Sequence, residues 1–407
     1  MESPVTSHRP GLRAAAIYLA TALLALLLPA TALADAVIGT GTAASCTSQQ
    51  AANDLSNAVA AGGTITFNCG PAMVTIVANT NATDKTVVVN GGGKVTLSGD
   101  DLRQIFFVFG TGNVTLNDLV LIDGDASQGG AIFVDTQARV TLNRSFVTSN
   151  KASSQGAGIY NKGTLAITTT TLGSNIATGS GGGIYNSGGT VTIDDSYLVS
   201  NQAQHGGAIY TTGGQVTLQR SAVRSGFISG DGGGVYAAGP TTITTVTFSN
   251  NRAARGGGLF STANTTVLNA TFNENRADLG GAIYYQSGTT SVKNTILAGS
   301  LDTAGGSPSL NCDGPTLTTQ GRNLVSDNSC VPNPSSSGDL VGTDPKLGAW
   351  LGSILHGYIP AADSPALDYA QGCPATDQRG FPRPLGAGCD VGAIERGALL
   401  YLPVMRK

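Results

Sequence analysis

Along most of the chain, apolar residues alternate with Thr, Ser or other polar residues over three to five positions, as in Val140-Thr141-Leu142, Val191-Thr192-Ile193 and Val216-Thr217-Leu218. This is strand periodicity, with every second side chain turned towards a core. Gly, Asn and Ser separate the runs, and they do so on a beat. A small-small-small-aliphatic-aromatic element recurs seven times, with its aliphatic member at Ile132, Ile159, Ile184, Ile209, Val235, Leu259 and Ile283, at intervals of 27, 25, 25, 26, 24 and 24 residues. An Asn-x-Ala element keeps the same beat at Asn150, Asn175, Asn201, Asn251 and Asn275, with Gly226 in the Asn place of one repeat. A fixed period of this length marks a solenoid or another array.

The content of one repeat selects the solenoid. Three short strands separated by turn residues fill about 25 positions and leave no room for a helix. Leucine-rich repeats need several Leu per unit, whereas β-branched residues dominate here, and Gly triplets would destroy a helical repeat. The pattern predicts an all-β fold, a right-handed parallel β-helix with three short strands per coil. Equivalent residues on successive coils then lie about 4.8 Å apart. Ile132, Ile159 and their equivalents form one internal column, and Val147, Leu172, Leu198, Val223, Phe248 and Phe272 form another. The Asn column reads as a structural ladder, since Asn at a bend hydrogen-bonds backbone without needing a ligand.

An open coil end must be covered. Ser48 to Ala61 places Ala52, Leu55, Ala58 and Val59 on one helical face with Gly62 as a stop, which predicts a helical cap within residues 45–62. Weaker strands at Thr64–Asn68, Thr86–Val89, Val95–Leu97 and Val114–Leu121 extend the coil, so the β-helix is expected over 35–298, clearest over 129–298. Beyond it Pro, Gly, Ser and Cys rise, predicting an irregular disulfide-stapled cap or small domain over 299–396 and a tail over 397–407.

Residues 1–34 read as a signal peptide: His8, Arg9 and Arg13 precede the apolar run Ala14 to Leu28, and Ala32-Leu33-Ala34 gives an A-x-A cleavage site near Ala34. That run is too short to span a bilayer, and no later segment is apolar enough to span one, so the expectation is an exported chain with no transmembrane segment once the leader is removed. All six cysteines follow the leader, an even number suited to an oxidising compartment. Proximity suggests Cys46–Cys69, Cys312–Cys330 and Cys373–Cys389 among 15 connectivities.

Composition narrows the chemistry. Only 12% of residues are charged and 41% are hydrophobic, which excludes a charge-rich disordered chain. A net charge of -3 gives no electrostatic reason to expect nucleic acid. There is no C-x-x-C spacing and only three His, one of them in the leader, so neither a metal nor a cofactor is expected.

Gly129-Gly130-Ala131-Ile132, Gly206-Gly207-Ala208-Ile209 and Gly280-Gly281-Ala282-Ile283 resemble the GGAI element of polymorphic outer-membrane protein repeats, and Phe248-Ser249-Asn250-Asn251 and Phe272-Asn273-Glu274-Asn275 resemble the companion FxxN element. Such repeats are shared by many pectin-lyase-like β-helices. Asp377-Gln378-Arg379-Gly380-Phe381-Pro382-Arg383-Pro384, followed by Cys389-Asp390-Val391-Gly392-Ala393-Ile394-Glu395, is similar to the choice-of-anchor Q domain of bacterial surface proteins. The resemblance implies an exported bacterial surface protein, secreted or cell-surface and sometimes adhesive. The sequence departs from the pattern in showing neither an autotransporter barrel nor a sortase motif after Glu395.

Three features offer function. The column Phe133, Tyr160, Tyr185, Tyr210, Tyr236, Phe260 and Tyr284 falls on the opposite face from the buried aliphatic residues, where exposed rings would stack on sugars; mutual stacking between coils is the plainer reading. Four residues before the aliphatic column stand Gln128, Gln155, Ser180, His205, Asp231, Arg255 and Leu279. There His205, Asp231 and Arg255 become neighbours suited to acid–base cleavage of a polysaccharide, with Arg224, Arg252 and Arg276 nearby to hold uronate carboxylates; solvated turn residues are the plainer account. The third feature is Asp194-Asp195, read as a surface Asp195–Arg220 pair rather than a paired-carboxylate site. The Gly-His-Gly and Arg-Ile-Lys elements of β-helix polygalacturonases, and the clustered Asp of pectate lyases, are not found. The sequence therefore favours a monomeric, non-catalytic binder of glycan or another surface, with a polysaccharide lyase or glycoside hydrolase acting on acidic polysaccharide as the alternative.

Overall fold

The computed structural model describes residues 35–397 apart from 316, 334 and 353–355; the expected leader over 1–34 and nearly all of the tail lie outside the described residues. The chain winds into an all-β parallel solenoid of about 12 turns. Each regular coil contributes three strands. The first is represented by Ile159–Asn161, the second by Thr164–Thr168 and the third by Thr171–Gly173. Each pairs in parallel with its equivalent on the next coil, so Ile159 meets Ile184, Leu165 meets Val191 and Leu172 meets Leu198. A fourth, two-residue strip, such as Ile176–Ala177, follows the third strand and was not anticipated from the repeat.

Register stacking places the predicted aliphatic columns inside. Ile132, Ile159, Ile184, Ile209, Leu259 and Ile283 are fully buried, as are Leu172, Leu198, Val223, Phe248 and Phe272. Each such side chain contributes about 1.5–3 kcal/mol by leaving water. The sharp bend between the second and third strands forces left-handed backbone at non-glycine residues, including Arg144, Thr169, Asp195 and Arg220, with φ between 41° and 50°. A hydroxyl column offsets that strain. Ser145, Thr170, Ser196 and Ser221 each donate to a carbonyl two residues back, at 2.6–2.9 Å. Thr170, Ser196 and Ser221 also accept a backbone N–H from the coil before, at 3.0–3.3 Å.

The second bend carries the Asn ladder. Asn150 donates to Asn175 Oδ1 and Asn175 to Asn201 Oδ1, both at 2.9 Å, and all three are fully buried. The ladder breaks at Gly226, whose backbone N–H is taken by Asn251 Oδ1 at 2.9 Å. At the third bend the first Gly of the GGAI element is required. Gly256 sits at φ +62°, and a Cβ there would lie 2.4 Å from the Leu259 carbonyl oxygen.

The helix Gln49–Ala61 packs against the first strands, capped by Ser48 Oγ accepting from Ala51 N–H at 3.2 Å and stopped at Gly62. Ala51, Leu55 and Val59 face inward, with Ala52 and Ala58 only half-buried, so the buried stripe is turned by one residue from that expected. All three disulfides pair as proximity suggested: Cys46–Cys69, Cys312–Cys330 and Cys373–Cys389.

The C-terminal region departs from a simple end cap. Strand pairing persists past Ala298 through Leu324–Val325 to Leu340–Val341, because Asn323 and Leu324 re-enter the third-sheet register after an irregular excursion. The chain then turns back along the outer face of the third sheet. Tyr358 meets Ser249 Oγ at 2.6 Å and donates to Glu274 at 2.8 Å, Thr247 donates to Gln378 at 2.6 Å, and Ala393 N–H donates to Thr271 at 3.0 Å. This explains why Thr247, Ser249, Thr271 and Asn273, outward-facing by strand alternation, are buried.

A buried charge network holds that return segment, and its members are the residues of the Asp377-to-Pro384 and Cys389-to-Glu395 motifs. Asp377 accepts from the backbone of Arg379, Phe381 and Glu395 at 2.8, 3.0 and 3.1 Å. Arg383 donates to the carbonyls of Asp390 and Gly392 at 3.1 and 2.8 Å, and its Nε lies 3.5 Å from Glu395. Burial pushes the Asp390 and Glu395 carboxyls up and the Arg383 guanidinium down.

Candidate functional site

The corner between the fourth strip and the first strand brings His205, Asp231 and Arg255 together. Bridges and hydrogen bonds link these positions on consecutive coils. Arg255 grips Asp231 with two bonds, Nε to Oδ1 at 2.8 Å and Nη2 to Oδ2 at 2.7 Å. Its guanidinium is held more firmly charged by that carboxylate. His205 Nδ1 accepts the Asp231 backbone N–H at 3.1 Å, which leaves the proton of the neutral ring on Nε2. The Asp231 carboxylate is nearly buried, while His205 and Arg255 are partly open.

The aromatic column runs beside this corner. From Phe107 through Phe133, Tyr160, Tyr185, Tyr210, Tyr236 and Phe260 to Tyr284, consecutive rings stack with centroids 4.5–5.3 Å apart. Of the two readings of this column, the rings stack on one another: Tyr160, Tyr185 and Phe260 are buried, and in-register stacking covers the ring faces that would have met a sugar. The cause is the coil rise itself, which matches an aromatic stacking distance. Tyr210, Tyr236 and Tyr284 remain half-open, so ring edges and hydroxyls are what this side can offer. Burial pushes the Tyr210 hydroxyl up to about 12 and the Tyr236 hydroxyl up as well, so both stay protonated donors. Arg255 also covers Phe260 and Tyr284, at 5.0 and 5.3 Å from their centroids, joining the polar corner to the stripe.

Arg220 pairs with Asp194, not Asp195. Asp195 occupies the left-handed bend, where its carboxylate accepts from Thr169 at 3.2 Å and burial pushes its acidity down. The two carboxylates therefore diverge. No cluster of His, Cys, Asp and Glu suited to a metal occurs among the described residues.

Sequence reasoning missed the surface of the fourth strip. Ile176 and Phe227 are 46% and 49% exposed, and they border a shallow open depression of about 410 Å³ lined also by Gln202, Gln204 and Arg252. The signal was present in the position after the ladder Asn, or after Gly226 in its place, which is apolar at Ile176 and Phe227 although the strip turns it outward.

The model of the Chlamydia polymorphic membrane protein repeat matches residues 245–262 and 269–286. These coils are similar to polymorphic membrane protein repeats. No curated protein and no solved structure matches the chain. The matched segments contain Phe248 and Phe272, stacked at 4.5 Å inside the coil, and Asn251 and Asn275 of the ladder. The repeat signature thus encodes coil-to-coil stacking. No helix among the described residues is long and apolar enough to cross a membrane.

Proposed function

We propose that this protein is a surface-displayed bacterial β-helix that binds polysaccharide along its polar–aromatic corner without cleaving it. The similarity to polymorphic membrane protein repeats supports surface display, as does the likeness of the Asp377-to-Glu395 motifs to a choice-of-anchor domain. The observation that carries the non-catalytic reading is the two-bond capture of Asp231 by Arg255. Both carboxylate oxygens are engaged, and His205 uses Nδ1 to accept a backbone N–H, so neither group stands free as a general base. What faces outward instead is a row of donors on neighbouring coils: His205 Nε2, the Arg255 N–H groups that Asp231 does not take, and the hydroxyls of Tyr210, Tyr236 and Tyr284. Such a row suits the hydroxyls of an extended glycan better than a reaction at one bond.

Removing only the hydroxyls tests this. A Tyr210→Phe/Tyr236→Phe/Tyr284→Phe variant keeps the ring stack and the fold. It should lose retention on immobilised polysaccharide by about tenfold, on the scale of two or three hydrogen bonds. Undiminished retention would remove this corner from the binding surface.

A further inference from the structure

Three arginines of the coil wall are neutralised one coil back: Arg144 holds Asp118, Arg220 holds Asp194 and Arg255 holds Asp231. Arg252 and Arg276 are not. They occupy one column on consecutive coils, bridged Phe227 to Arg252 to Arg276, so the residue one coil before Arg252 is an aromatic ring and the residue before Arg276 is another arginine. No ion pair involves either among the described residues. Two like charges held in register about 4.8 Å apart repel each other. The fold nevertheless positions them firmly. The Arg252 guanidinium lies 4.9 Å over the Phe227 ring, and the Arg276 guanidinium packs beside Gly305, with its Nε buried and without an acceptor.

We infer that Arg252 and Arg276, with Phe227 and the depression beside it, form a binding site for an acidic polysaccharide whose carboxylates fall on successive coils. The inference rests on the glycan-binding reading above and adds its substrate class. Charge complementarity selects the ligand: two unpaired, oriented guanidinium forks ask for planar anions, and a carboxylate accepts two parallel N–H bonds from each. The coil rise is comparable to the length of one pyranose unit, so neighbouring uronates along a chain can meet neighbouring arginines. The exposed surface of Phe227 and Ile176 supplies apolar contact for a sugar ring, and Gln202 and Gln204 supply amides for its hydroxyls.

The test uses the purified protein with polygalacturonate and with the same polymer after its carboxyls have been reduced to alcohols. Expected are tight binding to the acidic polymer, about tenfold or weaker binding to the reduced one, and loss of the difference in an Arg252→Gln/Arg276→Gln variant. Arg252→Lys/Arg276→Lys, which keeps the charge and removes the fork, should lose part of it. Arg139→Gln, an exposed arginine elsewhere on the wall, should bind as the parent does. Equal binding of both polymers would overturn the acidic preference and leave the glycan reading standing; binding to neither polymer, with retention on other neutral glycans, would do the same. Full acidic binding by the double Gln variant would overturn the site. Binding to polyphosphate or anionic vesicles but not to polygalacturonate would overturn it in favour of a phosphate ligand.

Discussion

Asn251 donates its side-chain amide to Asn275 Oδ1 at 2.9 Å while its own Oδ1 takes the backbone N–H of Gly226 at 2.9 Å. One buried amide thereby joins three consecutive coils at a bend where the Gly226 and Asn251 N–H groups take Asn side-chain acceptors. In a solenoid each coil touches only its neighbours, so stability is a sum of such interfaces, and one broken rung opens the stack locally.

Asn251→Ala should destabilise the protein by about 2–3 kcal/mol, because it strands buried partners on both sides. Urea unfolding followed by circular dichroism measures this. Gly226→Asn, which restores the ladder residue on paper, should destabilise too, since a Cβ at Gly226 would lie 2.0 Å from the Gly233 carbonyl oxygen. A stabilised Gly226→Asn variant would show that the ladder outweighs the backbone fit.

The return segment should come away before the coil melts when its charge network is cut. The side chains of Arg383 and Glu395 are 0% and 1% exposed, and removing one partner of a buried pair costs about 3–5 kcal/mol. In an Arg383→Met variant, fluorescence of Trp350, the single Trp, should change at lower urea than the β-sheet signal. Trp350 reports on this docking because it lies against Tyr358 and beneath the Arg224 guanidinium. Coincident transitions would mean that segment and coil unfold together.

Acid should loosen the same segment at His356. Its ring stacks on Tyr197 at 4.0 Å, its Nδ1 is buried without a partner, and burial holds its pKa below the ordinary 6.5. A base with a depressed folded pKa gives stability that is complete above its unfolded pKa and falls as pH drops below about 6.5. Hydrogen-exchange protection factors around Tyr358, which correct for the intrinsic pH dependence of exchange, should therefore fall between pH 7 and pH 5. His356→Phe keeps the stacking and has no proton to gain, so it should remove that dependence. Asp390 and Glu395 act in the opposite sense: their raised pKa values mean that the penalty for burying them charged is relieved as pH falls.

The coil was legible because each rung repeats the same few demands. Ile159 and its equivalents, Asn150 and Asn175, and Gly256 each recur at the spacing that stacking imposes. The hydroxyl column at Ser145, Thr170 and Ser196 escaped notice since Ser and Thr are common everywhere in this chain, and only the left-handed bend before each reveals its role. The aromatic column was legible as a column, but which of its rings stay open was not: strand alternation tells which side a ring leaves the backbone, not whether its neighbours cover it. The return of residues 356–396 along the third sheet was not legible, because Tyr358 and Ser249, or Thr247 and Gln378, meet across more than a hundred residues with no periodic signal. The candidate corner was legible as a column, while the pairing that engages Asp231 depends on side-chain geometry that spacing does not carry.

Incubating the purified protein with a panel of neutral and acidic polysaccharides, and measuring retention and new chain ends in the same samples, tests the central claim most directly. Retention without new chain ends is the predicted result. New chain ends that disappear in an Asp231→Ala variant would contradict it and make the His205–Asp231–Arg255 corner the active site of a polysaccharide-cleaving enzyme.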